Sequence, residues 1–298
     1  MPSRNDEYLL YQTLLGAWPL ETMDNAAHET FCQRIENYML KAVKEAKQHS
    51  SWVNPSAEYE EAVVAFVRAL LEEPDKNRFL ADFLPFQQQL ARFGLFNSLS
   101  QTLLKLTCPG MPDIYQGTEL WDFSLVDPDN RRPVDYSRRQ TLLAELQGLF
   151  AVDLQEQANR ARSLLDTIQD GRIKLYLTWR TLNLRRDCAA LFREGDYTPL
   201  SIHGDQAEHV CAFARTWEDQ EVIIVAPLLF VSLLDGEVTK LPLGVEVWGN
   251  THLTLPQGKA SYRNVLTGET LAPLEAEEVT LALADVLANF PVALLKKV

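Results

Sequence analysis

Pro109-Gly110-Met111-Pro112-Asp113-Ile114-Tyr115-Gln116-Gly117-Thr118-Glu119-Leu120-Trp121 reads as a short buried strand, Pro112 to Tyr115, set between turn-formers. It runs out into a polar loop holding Tyr115, Gln116, Glu119 and Trp121. The next stretch, Leu125-Val126-Asp127-Pro128-Asp129-Asn130-Arg131-Arg132-Pro133-Val134-Asp135-Tyr136, places Asp127, Asp129, Arg131, Arg132 and Asp135 within nine residues. Pro128 and Pro133 stiffen its backbone. Carboxylates, a guanidinium pair, an amide and aromatic faces at the carboxyl end of a strand suit a sugar. Its hydroxyls take bidentate polar partners and its pyranose faces take rings.

Outward from this stretch, the first hundred residues read as helices. Phe31, Ile35, Met39, Ala42 and Ala46 recur at helical spacing with charges between them. Tyr59, Val63, Phe66 and Leu70 form a second amphipathic face, begun at Asn54-Pro55-Ser56 and closed at Glu73-Pro74-Asp75. A third helical segment is expected from about Asp75 to Phe93, kinked at Pro85, and Gly94 separates it from Leu95 to Leu106. Downstream, Arg138 to Leu149 and Leu154 to Asp166 are helical, and Arg172 to Phe192 is expected as one long helix. After Gly195 the texture changes. His209 to Ala214, Glu221 to Val231, Leu253 to Leu255, Ser261 to Leu266, Val279 to Leu283 and Val292 to Leu295 are short apolar or alternating runs. Gly, Pro, Asn and Asp clusters divide them, the pattern of an antiparallel sheet or sandwich. The boundary falls near Arg193 to Tyr197. There is no repeat and no low-complexity tract.

A complete eight-stranded barrel needs roughly 250 residues of alternating strand and helix. Here the chain before the sheet region is nearly all helical, and Pro112 to Tyr115 is the single convincing parallel-type strand. The expected fold class is therefore α+β. A mostly helical amino-terminal region carries the last strand and helix of an incomplete (β/α)8 barrel, and an antiparallel β-sandwich domain follows. The expected division is 1–106 as a helical subdomain, 107–194 as the last barrel strand with its substrate loop and helices, and 195–298 as the β domain.

Composition excludes several classes of function. With 298 residues there is chain enough for a sizeable core. A net charge of −13 argues against nucleic acid, where a basic face supplies most of the affinity, and disfavours an anionic membrane surface. Cys32, Cys108, Cys188 and Cys211 lie far apart with no CxxC pair, so four reduced thiols in a cytoplasmic protein are expected. The amino terminus has no apolar signal core. The run Val222 to Leu234 is too short to span a bilayer and reads as strands. His28, His49, His203, His209 and His252 include no HExxH-type pair, and no metal site is expected from them. A phosphate-cradling Gly loop, a GxSxG elbow and a dinucleotide fingerprint are all missing, so no cofactor is implied.

The run from Pro109 to Trp121 with the loop up to Tyr136 resembles the eighth barrel strand and following loop of the α-amylase superfamily of glycoside hydrolases and transglycosylases. The closer resemblance is to the malto-oligosyltrehalose synthase family. It extends to Asp6-Glu7-Tyr8-Leu9-Leu10-Tyr11-Gln12-Thr13-Leu14-Leu15-Gly16, to the run from Lys41 to Trp52, to Asn97-Ser98-Leu99-Ser100-Gln101-Thr102-Leu103-Leu104-Lys105, and to Pro291-Val292-Ala293-Leu294-Leu295 near the carboxyl terminus. It covers only the carboxyl-terminal part of the family. The resemblance implies an intramolecular glucosyl transfer in the whole enzyme, turning the reducing-end α-1,4 bond of a maltodextrin into an α,α-1,1 linkage. Val225-Ala226-Pro227-Leu228-Leu229 departs from the family, in which an arginine follows the proline.

Retaining enzymes of this chemistry need a nucleophilic and an acid/base carboxylate about 5–5.5 Å apart. The family's acids come from earlier strands, so no catalytic residue is assigned here. Asp127 and Asp129 are a salt-bridged structural loop, a substrate-positioning one or, as the minor alternative, a pair taking part directly in the chemistry. Arg131 and Arg132 would keep either carboxyl ionised, which suits a general acid poorly. Glu119 either fixes its own loop or meets substrate, Tyr115 and Trp121 are core aromatics or sugar platforms, and Gln116 is available to a hydroxyl. Lys41, Lys44 and Lys47 read as a solvated, ion-paired helix face. The resemblance adds a second reading, in which Lys47, His49 and Trp52 approach the glucan's reducing end. The partners implied are a maltodextrin and the missing amino-terminal half of the barrel. The rival functions are a glucan-binding or assembly module of a split enzyme, part of an α-amylase-type hydrolase, and a folded remnant without function.

Overall fold

A computed structural model describes residues 1–72, 76–151, 153–255, 260–275 and 279–298. The expected helix stop at Glu73-Pro74-Asp75 lies outside the described residues. The chain forms two compact units, one of residues 1–92 with 122–134 and one of 93–121 with 135–298. This differs from the three sequential segments expected above. The loop that holds the clustered acids, residues 122–134, groups with the amino-terminal helices, while residues 107–121 and 135–194 share a unit with the sheets.

The first unit is built on α1 (Arg4–Ala17), α2 (Asn25–Ala46), α3 (Ala57–Leu71) and the start of α4 (Arg78–Thr107). Ser3 caps α1 by accepting from the Asp6 backbone N–H, and Asp24 caps α2 by accepting from Ala27. Leu10, Leu14, Phe31, Ile35, Met39, Val63 and Val67 recur at helical spacing and are almost wholly buried in one core. Buried Asp6 ties α1 to α3, accepting from the Tyr59 hydroxyl at 2.5 Å and the Ser3 hydroxyl at 2.7 Å.

α4 runs as one continuous helix with Pro85 inside it and passes through Gly94, where a break was expected. Leu80, Phe83 and Gln87 are buried around Pro85, and Phe93, Phe96, Leu99 and Leu103 are buried beyond it. Tertiary packing of that face outweighs the local helix-breaking tendencies.

The second unit continues with α5 (Tyr136–Leu149), α6 (Leu154–Ser163), α7 (Arg172–Asp187) and α8 (Ala189–Glu194). The single helix expected from Arg172 to Phe192 is thus two, broken at Cys188 (φ −120°, ψ 44°). The strands are β1 (Asp196–Pro199), β2 (Ile202–His203), β3 (Val210–Trp217), β4 (Gln220–Pro227), β5 (His252–Thr254), β6 (Tyr262–Asn264), β7 (Thr270–Leu271), β8 (Leu274–Glu275), β9 (Val279–Ala282) and β10 (Ala293–Lys297). They form a six-stranded sheet ordered β1-β3-β4-β10-β6-β7 and a four-stranded sheet ordered β2-β5-β9-β8. All recorded pairings are antiparallel. β4 and β10 form the centre of the six-stranded sheet, β4 almost fully buried and β3 beside it largely so. Beyond β4 the run expected to remain strand turns into the short helix α9 (Phe230–Leu233), and α10 (Val245–Trp248) and α11 (Leu283–Val286) complete the unit.

Pro112 to Tyr115 is not a strand. Ile114 is 42% exposed, Tyr115 44% and Met111 96%. A barrel strand persists only when neighbours take up its backbone donors and acceptors, and among the described residues no strand pairs with this segment. The expected last barrel strand is therefore an irregular, solvent-facing link.

Candidate functional site

The residues singled out in sequence fall into two groups, one in each unit. Tyr115, Gln116, Glu119 and Trp121 belong with the second unit, and Asp127, Asp129, Arg131, Arg132, Lys47 and Trp52 with the first.

In the acidic loop, the decisive partners come from α2. Arg34 forks onto Asp129, with Nε donating to Oδ1 at 3.0 Å and Nη2 to Oδ2 at 2.9 Å. The same Nη2 donates to the Phe123 carbonyl at 3.0 Å. The Leu125 backbone N–H adds a bond to Asp129 Oδ2 at 2.7 Å, and Arg132 lies 3.2 Å from Oδ1. Burial opposes ionisation of Asp129, but the Arg34 and Leu125 hydrogen bonds and the two guanidinium charges outweigh it, leaving the carboxyl below its ordinary range. Asp127 is held low first by its hydrogen bond from Lys41 and then by the charges of Lys41 and Arg131. Its carboxylate meets Lys41 Nζ at 3.3 Å and Arg131 Nη2 at 3.1 Å, and Lys41 also donates to the Asp127 carbonyl. The low values anticipated from Arg131 and Arg132 thus arise mainly from Arg34 and Lys41. Sequence reading missed both, because the partners lie 95 and 86 residues away.

Lys47 ends α2 in the left-handed region (φ 55°) and is exposed. Trp52 is 63% exposed and stands under Lys44 Nζ at 4.8 Å. Lys44 also pairs with Glu60 at 3.0 Å. Glu60 accepts from the Ser50 hydroxyl at 2.5 Å, and Ser50 Oγ accepts from Ser56 N–H at 3.0 Å, which folds the turn between α2 and α3. His49 packs on Tyr59 with ring centroids 4.6 Å apart. The lysine series is therefore committed to specific partners at Lys41 and Lys44, while Lys47 and the indole of Trp52 face solvent from one turn.

In the second unit, Glu119 pairs with Arg139 Nε at 2.9 Å, and Arg139 Nη2 donates to the Gly117 carbonyl at 2.6 Å. Glu119 thus anchors its own loop to α5. Trp121 Nε1 donates to the Ile168 carbonyl at 2.6 Å and Lys174 Nζ lies 5.6 Å from its ring. The indole is spoken for by its scaffold, whereas Tyr115 and Gln116 are exposed. Among the described residues no group of three or more His, Cys, Asp or Glu is placed to hold a metal ion, and no helix is long and apolar enough to cross a membrane.

No family model matches the chain. A putative maltooligosyl trehalose synthase of Mycobacterium tuberculosis is 33% identical over 286 residues, 96% of this chain and 31% of that protein. The structure of maltooligosyltrehalose synthase from Arthrobacter ramosus superposes with a TM-score of 0.74 at 33% identity, covering 98% of this chain and 32% of that one. A hypothetical maltooligosyl trehalose synthase of Sulfolobus tokodaii matches with a TM-score of 0.64 at 28% identity, over 99% of this chain and 32% of that one. The likeness runs through both the helical unit and the sheets, so the chain shares its architecture with a portion of these synthases. It belongs to the maltooligosyl trehalose synthase family and spans about a third of the length of these relatives.

Proposed function

We propose that this chain is the carboxyl-terminal portion of a maltooligosyl trehalose synthase, which supplies glucan-positioning surface and not the reacting carboxylates. The observation that carries this reading is similarity over nearly the whole chain to proteins three times as long. In the whole enzyme the reducing-end α-1,4 bond of a maltodextrin is cleaved, and the freed glucose is rejoined through an α,α-1,1 linkage. That glucose must be held while water is kept out, or hydrolysis prevails. Each unit is assigned its own glucan contacts: Tyr115 and Gln116 in the second, on the loop held by Glu119 and Trp121, and Asp127, Asp129, Arg131, Arg132, Lys47 and Trp52 in the first.

The electrostatics support leaving the chemistry elsewhere. A general acid needs a raised pKa, with its partner carboxylate about 5–5.5 Å away in a retaining site. Asp127 and Asp129 are shifted the other way, each by cations bonded to it. Incubation of the folded chain with maltohexaose tests the reading by reducing-end assay and anomeric proton spectra. The expected result is no turnover, and new α,α-1,1 signals with falling reducing power would overturn it. A glucan-binding or assembly module working beside a separate barrel polypeptide is the second reading, favoured by the exposed Tyr115 and Trp52 rings. Restored turnover on adding that polypeptide separates it from the first.

A further inference from the structure

One feature of the second unit has no part in the glucan reading. On the four-stranded sheet, His203 of β2 lies directly opposite His252 of β5 in the antiparallel register. Directly opposed residues send their side chains to the same face, and the two imidazole centroids are 5.7 Å apart with planes inclined by 31°. Both rings reach solvent, His203 exposed and His252 half-buried.

The tautomer of His252 follows from its partner. Nδ1 lies 3.0 Å from the Asn250 carbonyl oxygen, which only accepts, so Nδ1 carries the proton and donates. In the neutral ring with this tautomer, Nε2 is the nitrogen that offers a lone pair. A backbone carbonyl orienting the far nitrogen is the usual outer support of a metal-binding histidine.

The flanking backbone is fastened so that the register holds. Asp205 N–H donates to Asn250 Oδ1 at 3.0 Å and Gln206 N–H donates to Thr251 Oγ1 at 3.1 Å. Gly204 adopts φ +107°, and a Cβ there would stand 2.6 Å from Thr251 Cα, so only glycine lets the two segments approach this closely.

We propose that His203 and His252 form a two-imidazole site for a late first-row divalent cation (Ni2+, Zn2+ or Cu2+), with water completing the coordination sphere. Imidazole nitrogens suit these ions, whereas Mg2+ and Ca2+ require oxygen ligands. A bound ion would staple the edge strand β2 to β5 and stabilise the fold by mass action.

Calorimetric titration of the full chain with NiCl2 tests this, alongside His203→Ala, His252→Ala and the double variant. Expected are at least tenfold weaker binding in each single variant, and a metal-induced rise in melting temperature that vanishes in the double variant. On the unaltered chain, Ni2+ should broaden the imidazole 15N–1H signals of His203 and His252 before those of the other histidines. Undiminished affinity in either single variant, Ni2+ binding that persists in the double variant (for instance at cysteine thiols), or early broadening of other histidines would overturn the proposal.

Discussion

At the scale of single residues, two arginines bind this molecule together in different ways. Arg34 meets a carboxylate on equal terms, forking onto Asp129. A fork of this kind is both stronger and more directional than a lysine contact. Replacing Arg34 by alanine leaves the poorly exposed Asp129 carboxylate short of its main partner, and a loss of about 2 kcal/mol is expected. The same carboxyl sets an acid limit. Asp129 and Asp127 titrate lower in the folded chain than unfolded, so their contribution to stability is complete above the unfolded carboxylate value of about 3.9. It disappears as pH falls through the lower folded values. Urea midpoints followed from pH 7 down to acid should therefore drop steeply below about pH 4. In Asp129→Asn that descent should flatten. An unchanged slope would show that Asp129 is not the group responsible.

Arg215 has a different task. It is 1% exposed, lies on β3 next to the central strand β4, and among the described residues donates only to carbonyls. Its acceptors are Asp196 O at 3.1 Å, Thr107 O at 3.1 Å, Gly195 O at 2.9 Å, Phe192 O at 3.2 Å and Leu191 O at 3.3 Å. These include the carboxyl-terminal ends of α4 and α8, where helix carbonyls have few intrahelical partners and the dipoles favour a cation, although Leu191 O also accepts the Gly195 N–H at 3.1 Å. Lysine has three donors on a single nitrogen and cannot span this set. Arg215→Lys is expected to cost about 3 kcal/mol by thermal or denaturant melting, and a near-neutral result would contradict the assignment.

At the scale of elements, glycines separate what propensity decides from what packing decides. Gly94 sits in the middle of α4, exposed, and a Cβ there would meet nothing within 4 Å. Gly94→Ala should stabilise the chain by about 0.5–1 kcal/mol, since alanine loses less backbone freedom in a helix. Gly195, between α8 and β1, has an ordinary φ of −67°, yet a Cβ there would fall 2.3 Å from Leu191 O and 2.7 Å from Thr216 O. Gly195→Ala should therefore destabilise the junction. Opposite signs for the two variants, read as melting temperatures in one buffer, are the expected outcome. α4 also shows why Gly94 misled the sequence reading, Pro85 lying in the same continuous helix. Both lower local helix propensity, but the flanking apolar residues are buried at helical spacing, and that burial contributes more than either residue withdraws.

At the scale of the whole molecule, the motif that is continuous in sequence is divided between two compact units, the chain passing from one to the other after Arg92, after Trp121 and after Val134. Each unit has its own buried residues, and scanning calorimetry should resolve two transitions. Arg34→Ala should lower one and Arg215→Lys the other, whereas a single transition moved equally by both would show that the units unfold together.

The amino-acid order alone determined much of this. The helices at residues 25–46 and 57–71 follow from apolar residues at helical spacing, and the change to short antiparallel strands after Gly195 follows from alternation and turn residues. These are local signals, carried within one or two turns of chain. The family was legible too, because the run from Pro109 to Tyr136 keeps its residues whatever its conformation. Tertiary structure decided the rest. Among the described residues it pairs no strand with Pro112 to Tyr115, so the segment is irregular. It brought Arg34 and Lys41 to Asp129 and Asp127, anchored Glu119 through Arg139, and buried Arg215 among carbonyls from three parts of the chain. Hydrogen bonds and ion pairs depend on distance in space, and no periodicity in sequence records which distant cation a carboxylate will meet.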